Sequence, residues 1–302
     1  MQNKFKKPSL MYQRWFSLFI IYFLCKICYN NNKNMFGGEK MKKKFFFVAL
    51  FWSMIMVVGQ LFGAIYAILE MAFTNPNFME DFMKMDTFEL ISQISNPMLI
   101  GGVIAVLITV IIRISTIKNE NKTWTQKCKD YLNLKPLKNG MEYVRYFCVG
   151  ISINVFLSLI LTGLYKWLEL EDDTAYMFDS GWIMLLLVSF LVPIMEEILY
   201  RNRIYIAFKN LSPKRANFWQ ALFFGIAHGN IIQGLYTFLF GIMFGKINDR
   251  NNSLLPSICI HCGINFFAGI TMFSPGSEIY LIPFIIFAIP KFLEWIQYKK
   301  LI

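Results

Sequence analysis

The chain reads as an all-α polytopic membrane protein, a bundle of about eight transmembrane helices. Three observations predict this. Hydrophobic residues make up 56% and aromatic residues 17% of its 302 positions. Several nearly uncharged runs approach the ~20 residues that a helix needs to cross a bilayer. The charges between those runs alternate in sign along the chain, as they do in multi-pass proteins.

Residues 1–40 differ from the rest of the chain. An apolar run from Trp15 to Cys28 is broken by Lys26 and leads into Asn30-Asn31-Asn32-Lys33-Asn34. Met41-Lys42-Lys43-Lys44 then precedes a strong apolar segment. This N-terminal extension reads either as lying upstream of a natural start at Met41 or Met35, or as an amphipathic or signal-anchor-like segment.

From there the hydropathy pattern predicts spans over Phe45–Ala72, Pro97–Ile114, Glu142–Trp167, Trp182–Tyr205, Ala216–His228, Ile231–Ile247, Leu254–Phe273 and Tyr280–Ile296. The fifth is short, and Gly229-Asn230 leaves almost no loop before the sixth, which predicts a tight helical hairpin. Irregular backbone at membrane depth is tolerated where protein or a water-filled cavity surrounds it. Residues 41–180 form an N-terminal helical half, and residues 181–302 form the half that carries the chemistry.

Lys42–Lys44 precede the first span, and Glu80, Asp81, Asp86 and Glu89 follow it. Arg113, Lys118, Lys122, Lys127, Lys129, Lys135 and Lys138 follow the second, and Glu169, Glu171, Asp172, Asp173 and Asp179 the third. Arg201, Arg203, Lys209, Lys214 and Arg215 follow the fourth. With eight spans every basic loop falls on one side, which places both termini in the cytoplasm and the protein in the cell membrane. The net charge of +11 is therefore a topological signal, and nucleic acid is excluded as a partner. The lipid bilayer is the partner that composition requires.

The six cysteines form no disulfide framework: Cys25, Cys28, Cys148, Cys259 and Cys262 fall in apolar runs, where thiols behave as small hydrophobes, and Cys128 lies in a basic loop. The pairs Cys25/Cys28 and Cys259/Cys262 have zinc-like spacing but stand far apart in sequence, and the zinc reading of them is set aside.

Chemistry concentrates on the only two histidines, His228 and His261, and on Glu196-Glu197, all within or at the ends of apolar runs. Ionisable groups at such depth are costly and mark function by default. Glu196 and Glu197 point about 100° apart on a helix, so they serve different purposes. Glu197 precedes Arg201 by four residues, the favourable order for an ion pair, leaving Glu196 to face a cavity as a general base. The plainer reading is a charge cluster at a helix end.

Phe224 and His228 share a helix face, as do His261 and Asn265. Either pair alone is ordinary polar glue between helices. Together, one carboxylate and two imidazoles can position and deprotonate water, and an imidazole with a carboxamide can hold an oxyanion. No H-E-x-x-H, G-x-S-x-G or Walker-type loop occurs. Glu196, His228 and His261 would also suit zinc as a two-histidine, one-carboxylate site. A metal-free glutamate–histidine mechanism is preferred, because Asn265 is a poor zinc ligand and a good hydrogen-bond donor.

The order Glu196-Glu197-x-x-x-Arg201, Phe224-x-x-x-His228, His261-x-x-x-Asn265 resembles the CPBP intramembrane protease family, which comprises CAAX proteases and bacteriocin-processing proteins and is also called the Abi family. The resemblance covers about Gly181 to Gly269. Members often carry Phe-Arg-Gly where this chain has Tyr200-Arg201-Asn202, a departure that removes no catalytic group. The resemblance implies a membrane-embedded catalytic cavity open toward the cytoplasm. It implies that Glu196 activates water with His228, that His261 and Asn265 stabilise the oxyanion, and that Glu197 and Arg201 hold the site together. The implied activity is endopeptidase cleavage of a membrane-associated protein or peptide. Eukaryotic members clip prenylated CAAX proteins, and bacterial members are linked to peptide maturation or bacteriocin self-immunity. A composition rich in Lys, Asn, Phe and Ile resembles that of an AT-rich bacterial genome, which favours a peptide or membrane-protein substrate without a prenyl group.

Two other classes compete: a non-catalytic immunity or scaffold protein of the same fold, and a transporter using buried Glu and His as a proton relay. The intact motif set favours the enzyme, and the sequence shows no inverted repeat or paired broken helices. These motifs carry no information on oligomeric state. The alternating charges give a topology test: reporter fusions after Lys138 and after Asp173 are expected on opposite faces of the membrane, and finding both on one face would refute the threading.

Overall fold

The computed structural model describes residues 39–118, 121–167, 181–273, 280 and 283–299. The N-terminal extension to residue 38 and the acidic segment from Glu169 to Asp179 lie outside the described residues. Those described form helices and no strand. In order they are α1 (Glu39–Thr74), α2 (Phe78–Lys84), α3 (Thr87–Ser115), α4 (Trp124–Leu132) and α5 (Gly140–Trp167). There follow α6 (182–211), α7 (Ala216–Ala227), α8 (Ile231–Asn251), α9 (Leu255–Phe273) and α10 (Phe284–Lys299).

Each of the eight predicted spans corresponds to one of these helices. By length and composition five can cross a membrane: Phe47–Thr74, Ser92–Ser115, Gly140–Trp167, Trp182–Asn210 and Ile231–Asn251. The apolar part of α9, Leu255–Thr271, is shorter, and α7 has only 12 residues. This is an all-α, multi-pass membrane protein; the five long helices are fewer than the eight spans expected. Large apolar side chains such as Phe62, Ile108, Leu159 and Leu235 are exposed along these helices. In water such a surface would aggregate, whereas in lipid it is the solvated face.

The chain separates into two compact units, one of Met1–Ile55 and Ile198–Arg250, the other of Met56–Glu197 and Asn251–Ile302. Within the second, α5 runs along both α9 and α10. Glycine makes the α5–α9 approach possible. A methyl group on Gly150 would collide with the Ile260 carbonyl, and one on Gly263 with the Phe147 carbonyl. Lipid supplies no hydrophobic push between helices, so association rests on close backbone packing and interhelical hydrogen bonds. Asn154 supplies one such bond from its Nδ2 to the Ile264 carbonyl at 3.0 Å. Phe147, Phe190 and Phe266 fill the space beside it, with ring centroids 5.6 to 6.3 Å apart. Helix α10 is held by Lys291, buried and paired with Glu142 of α5 and with Glu294. The Lys291 ammonium also lies 4.7 Å from the Tyr146 ring centre. Further along the same unit α1 meets α3 through Gly59, Gly63 and Gly101, a second crossing built on small residues.

In the first unit α7 and α8 form the predicted tight hairpin. His228 closes α7, Gly229 takes the left-handed conformation at φ 72°, and the Asn230 side chain accepts from the Gln233 amide at 3.0 Å, capping α8. Gln220, fully buried, donates to the Gly241 carbonyl at 2.7 Å across the hairpin.

The glycine contact gives a stability test. Gly263→Val is expected to destabilise the detergent-solubilised protein by at least about 1–3 kcal/mol, the usual cost of overpacking. Gly163→Val, where an added side-chain carbon meets nothing within 4 Å, is expected to leave the thermal melt unchanged.

Candidate active site

Helix α6 brings Glu196 and Glu197 into the second unit, and its backbone is irregular on both sides of them. Trp182–Leu186 is α-helical, Leu187–Leu191 π-helical, Val192–Glu197 α-helical and Ile198–Ile204 π-helical again. Pro193 contributes a cause: it has no N–H to donate to the carbonyl of Ser189, so the regular ladder is interrupted there. π-helical turns inside α-helices recur at functional sites. The turn that links Glu197 to Arg201, four residues on, is π-helical.

The freed backbone is taken up by α9. The Nδ2 of Asn265 donates to the Val188 carbonyl at 3.1 Å, and the Cys262 thiol lies 3.9 Å from the Phe190 carbonyl. Thus Asn265, predicted as an oxyanion donor, already spends one of its two amide hydrogens fixing the π-helical turn.

One turn before Asn265, the ring of His261 lies between the two carboxylates. Its Nδ1 is 2.9 Å from Glu197 Oε1, and its Nε2 is 3.5 Å from Glu196 Oε2. Glu197 is fully buried, and only 14% of the Glu196 side chain is exposed. A carboxylate oxygen accepts, so Nδ1 of the imidazole carries a proton and donates it to Glu197. The second nitrogen then faces Glu196 across a gap slightly long for a direct hydrogen bond. Sequence reasoning cast Glu197 as a partner of Arg201 and missed its contact with His261, which no spacing rule on a single helix reveals.

Arg201, Phe224 and His228 belong to the first unit. The Arg201 guanidinium carbon is 3.9 Å from the centre of the Phe224 ring and 5.0 Å from that of Phe244, so the buried cation lies against two aromatic faces. Tyr200 meets Phe224 edge-on at 5.0 Å. Phe224 also meets the His228 ring edge-on, with centroids 4.7 Å apart, as the shared helix face predicts. The His228 Nδ1 donates to the Phe224 carbonyl at 2.7 Å, making Nε2 the accepting nitrogen of the neutral ring. Phe244 went unnoticed in the sequence because its phenyl group resembles the many others in α8.

Zinc was the alternative occupant of Glu196, His228 and His261. Among the described residues no group of three or more His, Cys, Asp or Glu gathers where it could hold a metal ion.

Residues 178–267 match the family model described as Type II CAAX prenyl endopeptidase Rce1-like. This is the CAAX protease family that the three motifs indicated, and the match spans the segment containing all of them. At family level it supports a CAAX-type intramembrane protease acting within a multi-pass membrane protein. No curated protein and no solved structure matches the chain.

The stacking of Arg201 predicts a measurable coupling. Arg201→Lys loses the planar cation and Phe244→Leu loses one face. A double-mutant cycle on thermal unfolding is expected to give a coupling of about 0.5–2 kcal/mol between them. Strict additivity would show that the stack contributes nothing.

Proposed function

We propose that this protein is an intramembrane endopeptidase that hydrolyses a peptide bond of a membrane-associated protein or peptide with carboxylate-activated water. The observation that carries the reading is His261 between Glu197 and Glu196, at 2.9 and 3.5 Å. A buried carboxylate–imidazole–carboxylate row has little structural purpose that apolar packing would not serve better. It is well suited to moving protons.

Glu196, at the more accessible end of the row, is the general base. It takes a proton from a water molecule, whose oxygen attacks the carbonyl carbon of the scissile bond. The resemblance to the family gives His228 a share in activating this water, and its Nε2, unlike the Nδ1 that donates to the Phe224 carbonyl, can accept a proton. The tetrahedral oxyanion is stabilised by the second amide hydrogen of Asn265 and, with a proton on both ring nitrogens, by the Nε2–H of His261. The C–N bond then breaks, and the proton held by Glu196 passes to the leaving amine, which restores the carboxylate. Glu197 sets the tautomer of His261 and stabilises positive charge on the ring, the role of the carboxylate behind an imidazole in a catalytic triad. Arg201, held between Phe224 and Phe244, supports the helix that follows the two glutamates. No step needs a metal. The biological setting that fits best is maturation of a peptide, or self-immunity to a bacteriocin, at the cell membrane with both termini cytoplasmic.

The competing reading, a non-catalytic immunity scaffold, makes the opposite forecast for Glu196. Membrane peptides from cells producing the wild-type chain and from cells producing Glu196→Gln should differ at equal protein levels, an uncleaved precursor accumulating with the variant. Turnover of that precursor by Glu197→Gln should fall on the order of 100-fold or more, since tautomer control is lost. With Asn265→Ala it should fall roughly 100- to 1000-fold. Identical peptide profiles with full immunity in Glu196→Gln would end the enzymatic reading.

A further inference from the structure

The connection between α3 and α5 contains a helix that the proposed proteolysis does not use. α4 has nine residues and is set off by a full capping box: Thr123 Oγ1 accepts from the Gln126 amide, and the Gln126 side chain accepts from the Thr123 amide. At its other end Asn133 takes the left-handed conformation, φ 53°. Both ends are therefore defined by their own local hydrogen bonds.

Helical spacing places Trp124, Cys128, Tyr131 and Leu132 on one stripe, with Lys127 and Lys129 on its two edges and Gln126 and Asp130 opposite. No residue of α4 is buried, and Trp124 is 49% exposed. A helix this short is not stable on its own in water; the protein half-buries Cys128, Tyr131 and Leu132, and Trp124 at the outer end of the stripe is left for a second apolar phase. The flanking helices α3 and α5 both cross the membrane, which ties this connection to the bilayer surface. Residues 116–139 carry six lysines against one glutamate and one aspartate, a net charge of +4.

We propose that α4 is an interfacial helix that lies in the headgroup layer of an anionic phospholipid membrane, with Trp124 inserted and Lys127 and Lys129 reaching lipid phosphates on either side. The lipid contact reaches the candidate site through the backbone. The Leu254 amide donates to the Asn133 carbonyl at 3.0 Å, and Ser253 Oγ donates to the Lys135 carbonyl at 2.7 Å. The C-terminal cap of α4 is thereby fastened to the start of α9, the helix that carries His261 and Asn265. Seating of α4 on lipid thus fixes the end of that helix.

The test uses the full chain in nanodiscs of phosphatidylcholine alone and of phosphatidylcholine with phosphatidylglycerol. Two readouts on the unaltered protein are alkylation of Cys128 by a water-soluble maleimide, located by mass spectrometry, and amide exchange over residues 118–139. Phosphatidylglycerol is expected to slow both severalfold, with high salt reversing the effect. Each lysine near an anionic surface strengthens association about fivefold, so Lys127→Gln/Lys129→Gln is expected to abolish the lipid dependence. An unchanged thermal melt of that variant in phosphatidylcholine alone will show that it remains folded. Equal rates in the two lipids would overturn the proposal, as would a lipid effect that survives in the double variant.

Discussion

A carboxylate without a partner in hydrocarbon is among the most expensive groups a protein can contain, and here two adjacent glutamates sit at the core of one helical unit. The imidazole of His261 resolves much of that expense by facing both. Fixing one ring between two carboxylates requires α9 to approach α6 in a single register. The surrounding packing can be understood from that requirement. Glycines at 150 and 263 let α9 close onto α5 without intervening side chains, and Asn154 ties the pair together. The phenyl rings of Phe147, Phe190 and Phe266 fill the remaining space.

The π-helical turns belong to the same solution. In a regular α-helix the Val188 carbonyl would be taken by the amide of Val192 and would not be offered to a neighbour. The turn at Leu187–Leu191 presents the Val188 carbonyl to Asn265. The irregular backbone is buried against α9 rather than facing lipid, the condition under which a membrane tolerates it. A carboxamide that looks catalytic in sequence therefore also clamps the helix bearing Glu196 and Glu197.

In the first unit, a cation takes the place of the carboxylates as the group to be accommodated. Arg201 is as deeply buried as His261, and the faces of Phe224 and Phe244 supply part of the stabilisation that water would otherwise give. Lysine, with a compact and strongly hydrated charge, would not be stabilised in the same way.

Hydropathy and charge alternation determined that the chain is an all-α membrane protein, located each long helix though not its ends (the second begins at Thr87, ten residues before the predicted Pro97), and marked the hairpin at Gly229-Asn230. These features are local: they depend on the apolar length of a segment and on single residues with special backbone freedom. The residue types of the candidate site were legible as well, because buried charges are rare enough to stand out. Which of them meet was not legible. Spacing along one helix suggested Arg201 for Glu197 and could say nothing of a partner on another helix. The contact of Glu197 with His261 joins residues 64 positions apart, and the carbonyl that receives Asn265 is 77 positions away. Only the packing of α9 against α6 could decide such pairings, since the direction of a side chain is set locally but its partner is set by the helix across from it.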